Sequence, residues 1–125
     1  MRRTLFKSKI HGATLTGTDL HYEGSISLDR ELLAAADLVT SEKVQVLNVE
    51  TGARLETYVI EAPAGSGEVR LNGPAARLGQ PGDRVIVVSY AEFEEDEVED
   101  HRPLVVRLDE DNRPLGGRLR SEGGP

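Results

Sequence analysis

Short alternating or β-branched runs, each closed by a turn signal, recur along the chain and leave little room for helix. Thr4 to Ile10 reads as a first strand and Ala13 to Thr16 as a second. Ser25-Ile26-Ser27-Leu28 alternates polar and apolar residues, as does Lys43-Val44-Gln45-Val46 before it runs into Leu47-Asn48-Val49. Thr51-Gly52 marks a turn, Arg54 to Ile60 a further strand, and Val69 to Leu71 a short one. Val85-Ile86-Val87-Val88 is continuously apolar and suits a strand buried on both faces within Arg84 to Ser89; Leu104 to Val106 is the last strand. A helix is expected over Arg30 to Ala36 with Asp29 as its N-cap, and a short helical turn over Ala75 to Leu78. Closely spaced strands with one or two short helices predict a mainly β fold, a small β-barrel.

A chain of 125 residues is expected to form one domain. Residues 1–108 form the expected barrel. Residues 109–125, rich in Gly, Pro and charge, form an expected disordered tail. Aromatic residues make up only 4%. So small a core gains from oligomerisation, which buries more surface per residue. There is no apolar run long enough for a membrane helix, and Arg2-Arg3 is followed by no signal-peptide core. No membrane partner is therefore expected. With no cysteine, disulfides and thiolate metal sites are ruled out, and the composition suits a reducing cytoplasm. The net charge of −7 argues against nucleic acid as a partner. The carboxylates from Glu92 to Asp100 read as a solvated loop or surface helix. His11, His21 and His101 do not follow a metal-ligand spacing, and no metal is expected.

Two Gly-Ser pairs are present, Gly24-Ser25 and Gly65-Ser66. Such a bond can cleave itself and convert its serine to a pyruvoyl group. On the order of one pair is expected by chance in a chain of this size. Gly65-Ser66 lies in the plain turn signal Pro63-Ala64-Gly65-Ser66-Gly67. Gly24-Ser25 instead opens an alternating strand and follows His21-Tyr22-Glu23.

On the strand from Arg54 to Ile60, Arg54, Glu56, Tyr58 and Ile60 share one face, and Leu55, Thr57 and Val59 the other. Arg54 and Tyr58 stand about 13 Å apart along the strand. Their side chains are long enough to converge on one small ligand, Arg as a carboxylate fork and Tyr as a proton donor. An exposed face with an ordinary Arg54–Glu56 charge pair fits the same pattern. Lys9 and His11 point the same way from the first strand, where they also fit a solvated edge. Asn72-Gly73 is a turn signal whose amides could meet an anion.

Taken together, Lys9-Ile10-His11, Asp19-Leu20-His21-Tyr22-Glu23-Gly24-Ser25, Asn48-Val49, Gly52, Arg54 with Thr57-Tyr58, Asn72-Gly73 with Ala75-Ala76, and Gly82-Asp83 carry a resemblance. The chain resembles the pyruvoyl-dependent aspartate 1-decarboxylases over residues 1 to about 90, with the segments in the family's order. The resemblance implies a six-stranded double-psi β-barrel, a homotetramer and active sites between subunits. It implies conversion of L-aspartate to β-alanine and carbon dioxide for pantothenate synthesis. It also implies cleavage between Gly24 and Ser25, with Ser25 becoming the pyruvoyl cofactor that forms a Schiff base with substrate. By the same resemblance Tyr58 matches the proton donor and Arg54 the carboxylate binder. Thr57, Asn72, Gly73 and Ala75 match residues around the substrate, and Lys9, His11 and Tyr22 match pocket residues. Pro74 stands among the substrate-binding positions where the family usually has Ala, and it lacks an N–H. Two other readings stay open at this point. One is a non-catalytic small β-barrel serving binding or assembly, with Gly24-Ser25 as a turn. The other is an unprocessed precursor of the enzyme.

Overall fold

The structure, a computed structural model, describes residues 1–116 and the backbone of Leu119 and Arg120. Among these residues the strands are β1 (Arg2–Thr14), β2 (Gly17–Asp19), β3 (Ser25–Asp29), β4 (Lys43–Asn48), β5 (Arg54–Ala62), β6 (Val69–Asn72), β7 (Arg84–Glu94), β8 (Leu104–Arg107) and β9 (Leu119–Arg120). Helix α1 spans Arg30–Ala35, a 3-10 helix Gly73–Leu78, and helix α2 Glu95–Val98. The mainly β expectation holds, with few and short helices. No described helix is long and apolar enough to cross a membrane.

The strands are hydrogen-bonded in the order β2-β6-β3-β5-β4-β7-β1-β8-β9. Because β2 continues the chain of β1, β6 lies between β3 and the β1–β2 run, and the sheet closes. Thr16 makes the closing contact. Its N–H donates to the Val69 carbonyl at 2.8 Å, and its hydroxyl accepts from the Val69 N–H at 3.1 Å. Counting β1 and β2 as one run, six strands surround the core; β8 pairs in parallel with β1 from Ser8 to His11 and adds Val106 to that core, and β9 pairs with β8. The barrel is filled by aliphatic side chains, among them Ile10, Ile26, Leu28, Val44, Val46, Val59, Leu71, Val85, Val87 and Val106. Inward residues alternate along β4, where Val44 and Val46 are buried and Lys43 is exposed, as a sheet with one wet face requires.

Two expected strands at the N-terminus prove to be one. Its pairing with β7 shifts register between Phe6 and Ser8 and again between His11 and Ala13. Gly12, at φ +84°, takes the second bulge, so β1 bends without breaking. Strand β7 runs beyond the expected Ser89 to Glu94, because Arg2 and Arg3 pair with Glu94 and Phe93 across the ladder. Part of the carboxylate run therefore belongs to a strand. Glu95 to Val98 form α2, capped by Glu94, whose side chain and that of Glu97 bond reciprocally to each other's backbone N–H.

Asp29 ties three pieces together. Its carboxylate accepts from the Glu31 N–H at 2.8 Å as the α1 N-cap, from Gly65 N–H at 3.1 Å and from Gly67 N–H at 2.8 Å. Burial pushes this carboxyl up, but the amides of Glu31, Gly67 and Gly65 and the charge of Arg113 outweigh it. The result is a pKa below its ordinary 3.8.

Residues 109–116 of the expected tail are fastened to the barrel. Asn112 is buried. It accepts from Thr14 N–H at 2.8 Å and donates to the carbonyls of Thr14 and Gly67, both at 2.9 Å. These side-chain bonds, with the backbone bonds from Asp109 N–H to the Arg113 carbonyl and from Leu115 N–H to the Arg107 carbonyl, hold the segment in place. The rest of the expected tail lies outside the described residues, apart from the backbone of β9.

Asp29→Ala should cost about 1 kcal/mol for the lost cap, and more for the two loop amides left without an acceptor. A group with a depressed folded pKa stabilises fully above its unfolded value and less as pH falls through the folded value. The stability gap to wild type, measured by urea unfolding, should therefore be full at neutral pH and shrink below pH 3.8. A gap independent of pH would refute the carboxylate's role.

Candidate active site

Ser25 opens β3 and pairs directly with Asn72 of β6. It is fully buried, and Asn72 is 1% exposed. The Ser25 hydroxyl donates to the Glu23 carbonyl at 3.1 Å and accepts from the Asn72 side-chain amide at 2.9 Å. The same amide nitrogen donates to the Ser27 hydroxyl at 2.9 Å. A buried hydroxyl needs such partners, and these hold its oxygen at the residue-24 end of the strand. Gly65-Ser66 differs in every respect. Ser66 is exposed, its N–H closes a turn on the Pro63 carbonyl at 3.1 Å, and its hydroxyl accepts from Glu68 N–H at 3.2 Å.

Gly24 borders a cleft of about 400 Å³, lined also by Leu55, Glu56, Thr57, Tyr58, Pro74, Ala75 and Leu78. The cleft has a topological cause. β5 pairs with β4 from Arg54 to Tyr58, but its other edge pairs with β3 only from Val59, opposite Ile26. Ahead of that point the second edge of β5 lacks a strand, and the cleft occupies the gap. Strict alternation puts Thr57 and Tyr58 on opposite faces, yet both border the cleft, because it opens at the strand's edge.

The cleft thus gathers Gly24, Thr57, Tyr58, Pro74 and Ala75 beside the Ser25–Asn72 pair. Gly73, at φ +65°, sits against the backbone of Tyr22 and Gly24. Other candidates lie elsewhere. Arg54 pairs with Leu47, Leu47 with Ile86, and Ile86 with His11, so Arg54 and His11 share one face at opposite ends of a four-strand row. Three strand spacings separate them by roughly 14 Å. Glu56, Gln45, Val88 and Lys9 form the neighbouring row. Lys9 and His11 therefore stand apart from Gly24 within one chain. The Lys9 ammonium lies 5.2 Å from the centre of the Phe6 ring. Tyr22 is half exposed, and its ring is not among the cleft residues.

The Arg54–Glu56 pair suggested by the strand pattern does not form. Glu56 faces Lys43 at 3.7 Å. Arg54 donates to the Gln45 side-chain oxygen at 3.2 Å, which also accepts from the Tyr90 hydroxyl at 2.9 Å. Gln45 was not singled out from the sequence, where a Gln between two valines reads only as an outward residue. Leu55 and Leu78, which carry no chemical signal in the sequence, give the cleft apolar walls. No cluster of His, Cys, Asp or Glu suited to a metal ion occurs among the described residues. Burial, then the positive charges of Arg107 and Lys9, lower the His11 pKa below its ordinary 6.5. Its ring is therefore largely neutral at neutral pH.

The fold and site define a class of small six-stranded β-barrels in which a buried serine is gripped by an asparagine and preceded by a glycine at a cleft. Comparison with known proteins narrows the class. The aspartate decarboxylase family model matches residues 1–115, and the chain belongs to that family. It is 55% identical to the aspartate 1-decarboxylase of Myxococcus xanthus (strain DK1622), over 100% of this chain and 96% of that protein. It is 58% identical to the aspartate 1-decarboxylase of Maricaulis maris (strain MCS10), over 92% and 95%. Among solved structures, the rationally designed mkDPBB_sym_86 protein aligns at 20% identity with a TM-score of 0.46, covering 63% of this chain and 91% of that one.

The His11 ring should titrate below pH 6.5 when followed by NMR. Arg107→Ala removes a neighbouring positive charge and should raise the midpoint. An unchanged midpoint would contradict the electrostatic assignment.

Proposed function

We infer that this chain is an aspartate 1-decarboxylase, converting L-aspartate to β-alanine and carbon dioxide for pantothenate synthesis. The observation that carries the reading is the buried Ser25 hydroxyl, held by Asn72 beside a Gly24 that faces a cleft. Family membership over nearly the whole chain supports the same reaction.

In the proposed maturation the Ser25 hydroxyl turns from the Glu23 carbonyl to the carbonyl carbon of Gly24. The new C–O bond replaces the Gly24–Ser25 C–N bond, and the departing nitrogen takes up the hydroxyl proton. The tethered nucleophile makes this step intramolecular, and Gly24 keeps the carbonyl carbon uncrowded. Elimination across the Cα–Cβ bond of residue 25 then releases Gly24 as a carboxylate and leaves dehydroalanine. Water converts dehydroalanine to a pyruvoyl group and ammonia. The residues fit that group: residue 25 is buried, donor-supplied and adjacent to a cleft.

Once formed, the pyruvoyl group supplies an electron sink for the substrate's α-carbon. The chain's own residues do the rest. Tyr58 holds the proton delivered to the α-carbon as carbon dioxide leaves. Arg54 binds a substrate carboxylate through its guanidinium fork, and Lys9 adds positive charge in an acidic protein. Thr57, Asn72, Gly73 and Ala75 border the substrate, while Pro74 contributes a ring surface and no amide donor. Leu55 and Leu78 exclude water from one side.

Lys9, His11 and Arg54 share a sheet face outside the Gly24 cleft. We propose that a second copy brings this face to the cleft, in a homotetramer with active sites between subunits. Exposed Tyr90, Val49 and Leu78 support an intersubunit surface.

Purified wild type should release β-alanine from L-aspartate, and Ser25→Ala should release none. Tyr58→Phe should lower kcat by roughly 10²-fold or more without affecting maturation. A wild-type kcat in Tyr58→Phe would remove Tyr58 from its role, and no product from a matured wild-type enzyme would overturn the reading.

A further inference from the structure

Three consecutive residues, Asn72, Gly73 and Pro74, touch both sides of the Gly24–Ser25 bond. Asn72 holds the hydroxyl oxygen of Ser25 at 2.9 Å. Gly73 meets the backbone just ahead of the bond: a Cβ at this position would lie 2.7 Å from Gly24 N, 2.8 Å from Gly24 Cα and 2.8 Å from the Tyr22 carbonyl oxygen. Pro74 closes the far side, with its Cδ 3.6 Å from where a Gly24 Cβ would stand.

The Gly73 contact stands out among the left-handed glycines. A Cβ at Gly52, Gly82 or Gly116 would meet nothing within 4 Å, at Gly12 or Gly65 it would make only ordinary contacts, and at Gly67 the nearest atom is 3.1 Å away. At Gly73 all three obstructing atoms are backbone, which cannot swing aside as the tip of a side chain can. They also belong to the segment that carries the reacting carbonyl.

We propose that Gly73 is a positioning residue for self-cleavage. Its missing side chain lets the start of the 3-10 helix, just after β6, approach residues 22–24 closely enough to fix the Gly24 carbonyl against the Ser25 hydroxyl, while Pro74 restrains the turn that presents it. The proposal rests on the reading that the Gly24–Ser25 bond is cut. It gives Gly73 a task in maturation, separate from any contact with substrate. Restoring ordinary spacing around a Gly73 methyl requires the Tyr22–Gly24 backbone to move by roughly 0.7 Å. Shifts of about 1 Å in an attack geometry cost on the order of 10²-fold in rate. A slowing of about tenfold or more is therefore expected.

The test compares full-length Gly73→Ala with Gly52→Ala. Gly52 has φ +77° and open space around it, so its variant carries similar left-handed strain without touching the cleavage segment. Conversion of intact chain to the fragments 1–24 and 25–125 is followed by intact mass, and thermal midpoints are recorded alongside. Gly52→Ala should mature at the wild-type rate. Gly73→Ala should accumulate uncleaved chain and convert at least about tenfold more slowly, even at a matched thermal midpoint. Cleavage of Gly73→Ala at the wild-type rate overturns the proposal. Should that variant fail to fold, Pro74→Gly decides, because Pro74 is exposed and its loss both frees the turn and removes the ring beside Gly24. It should slow cleavage several-fold, and a wild-type rate overturns the proposal. A wild-type chain that stays whole overturns the cleavage reading itself, and the proposal falls with it.

Discussion

The pairing of Ser25 with Asn72 across β3 and β6 is the constraint on which the rest of the site depends. A buried hydroxyl without a partner is costly, and this register supplies one from the strand directly opposite. The register is itself set by the core. Ile26 stands opposite Leu71 and Leu28 opposite Val69, all buried. A slip by one residue would send these side chains outward and turn the serines inward. Thr16, by satisfying both backbone groups of Val69, pins β6 on its other edge. The position of one hydroxyl thus follows from closure of the barrel.

Strand β3 is only five residues long, and its ends have different tasks. At one end, Gly24 borders the gap left beside β5, and Ser25 is buried next to it. At the other, Asp29 caps α1 and gathers the amides of Gly65 and Gly67. The second Gly-Ser pair therefore sits in a loop that Asp29 and Asn112 hold in place. Identical dipeptides acquire opposite characters because one opens a buried strand and the other lies in an anchored surface turn.

Much of this was legible in the residues. The alternation of Ile26 and Leu28, the strand from Arg54, the aliphatic run at Val85 and the Asp29 cap all appear as local patterns. The HYEGS segment with Arg54, Thr57, Tyr58 and Asn72-Gly73 pointed to the family that the comparisons bear out. What escaped depends on neighbours distant in sequence. Thr57 and Tyr58 border one cleft only because β3 begins too late to cover that edge of β5. Glu92 and Glu94 look like part of a loop or surface helix until Thr4 and Arg2 are found opposite them across the ladder. Asn112 lies in a Gly- and Pro-rich stretch, and nothing local announces its bonds to Thr14 and Gly67. The close approach at Gly73 is likewise invisible in a turn-like Asn-Gly pair.

On the proposed function, residue 25 ceases to be serine. Intact-mass measurement of the purified wild-type protein tests it most directly. Two fragments divided after Gly24 are expected, the larger carrying a borohydride-reducible carbonyl at its new N-terminus. A single whole chain of 13.6 kDa that releases no carbon dioxide from aspartate would contradict it.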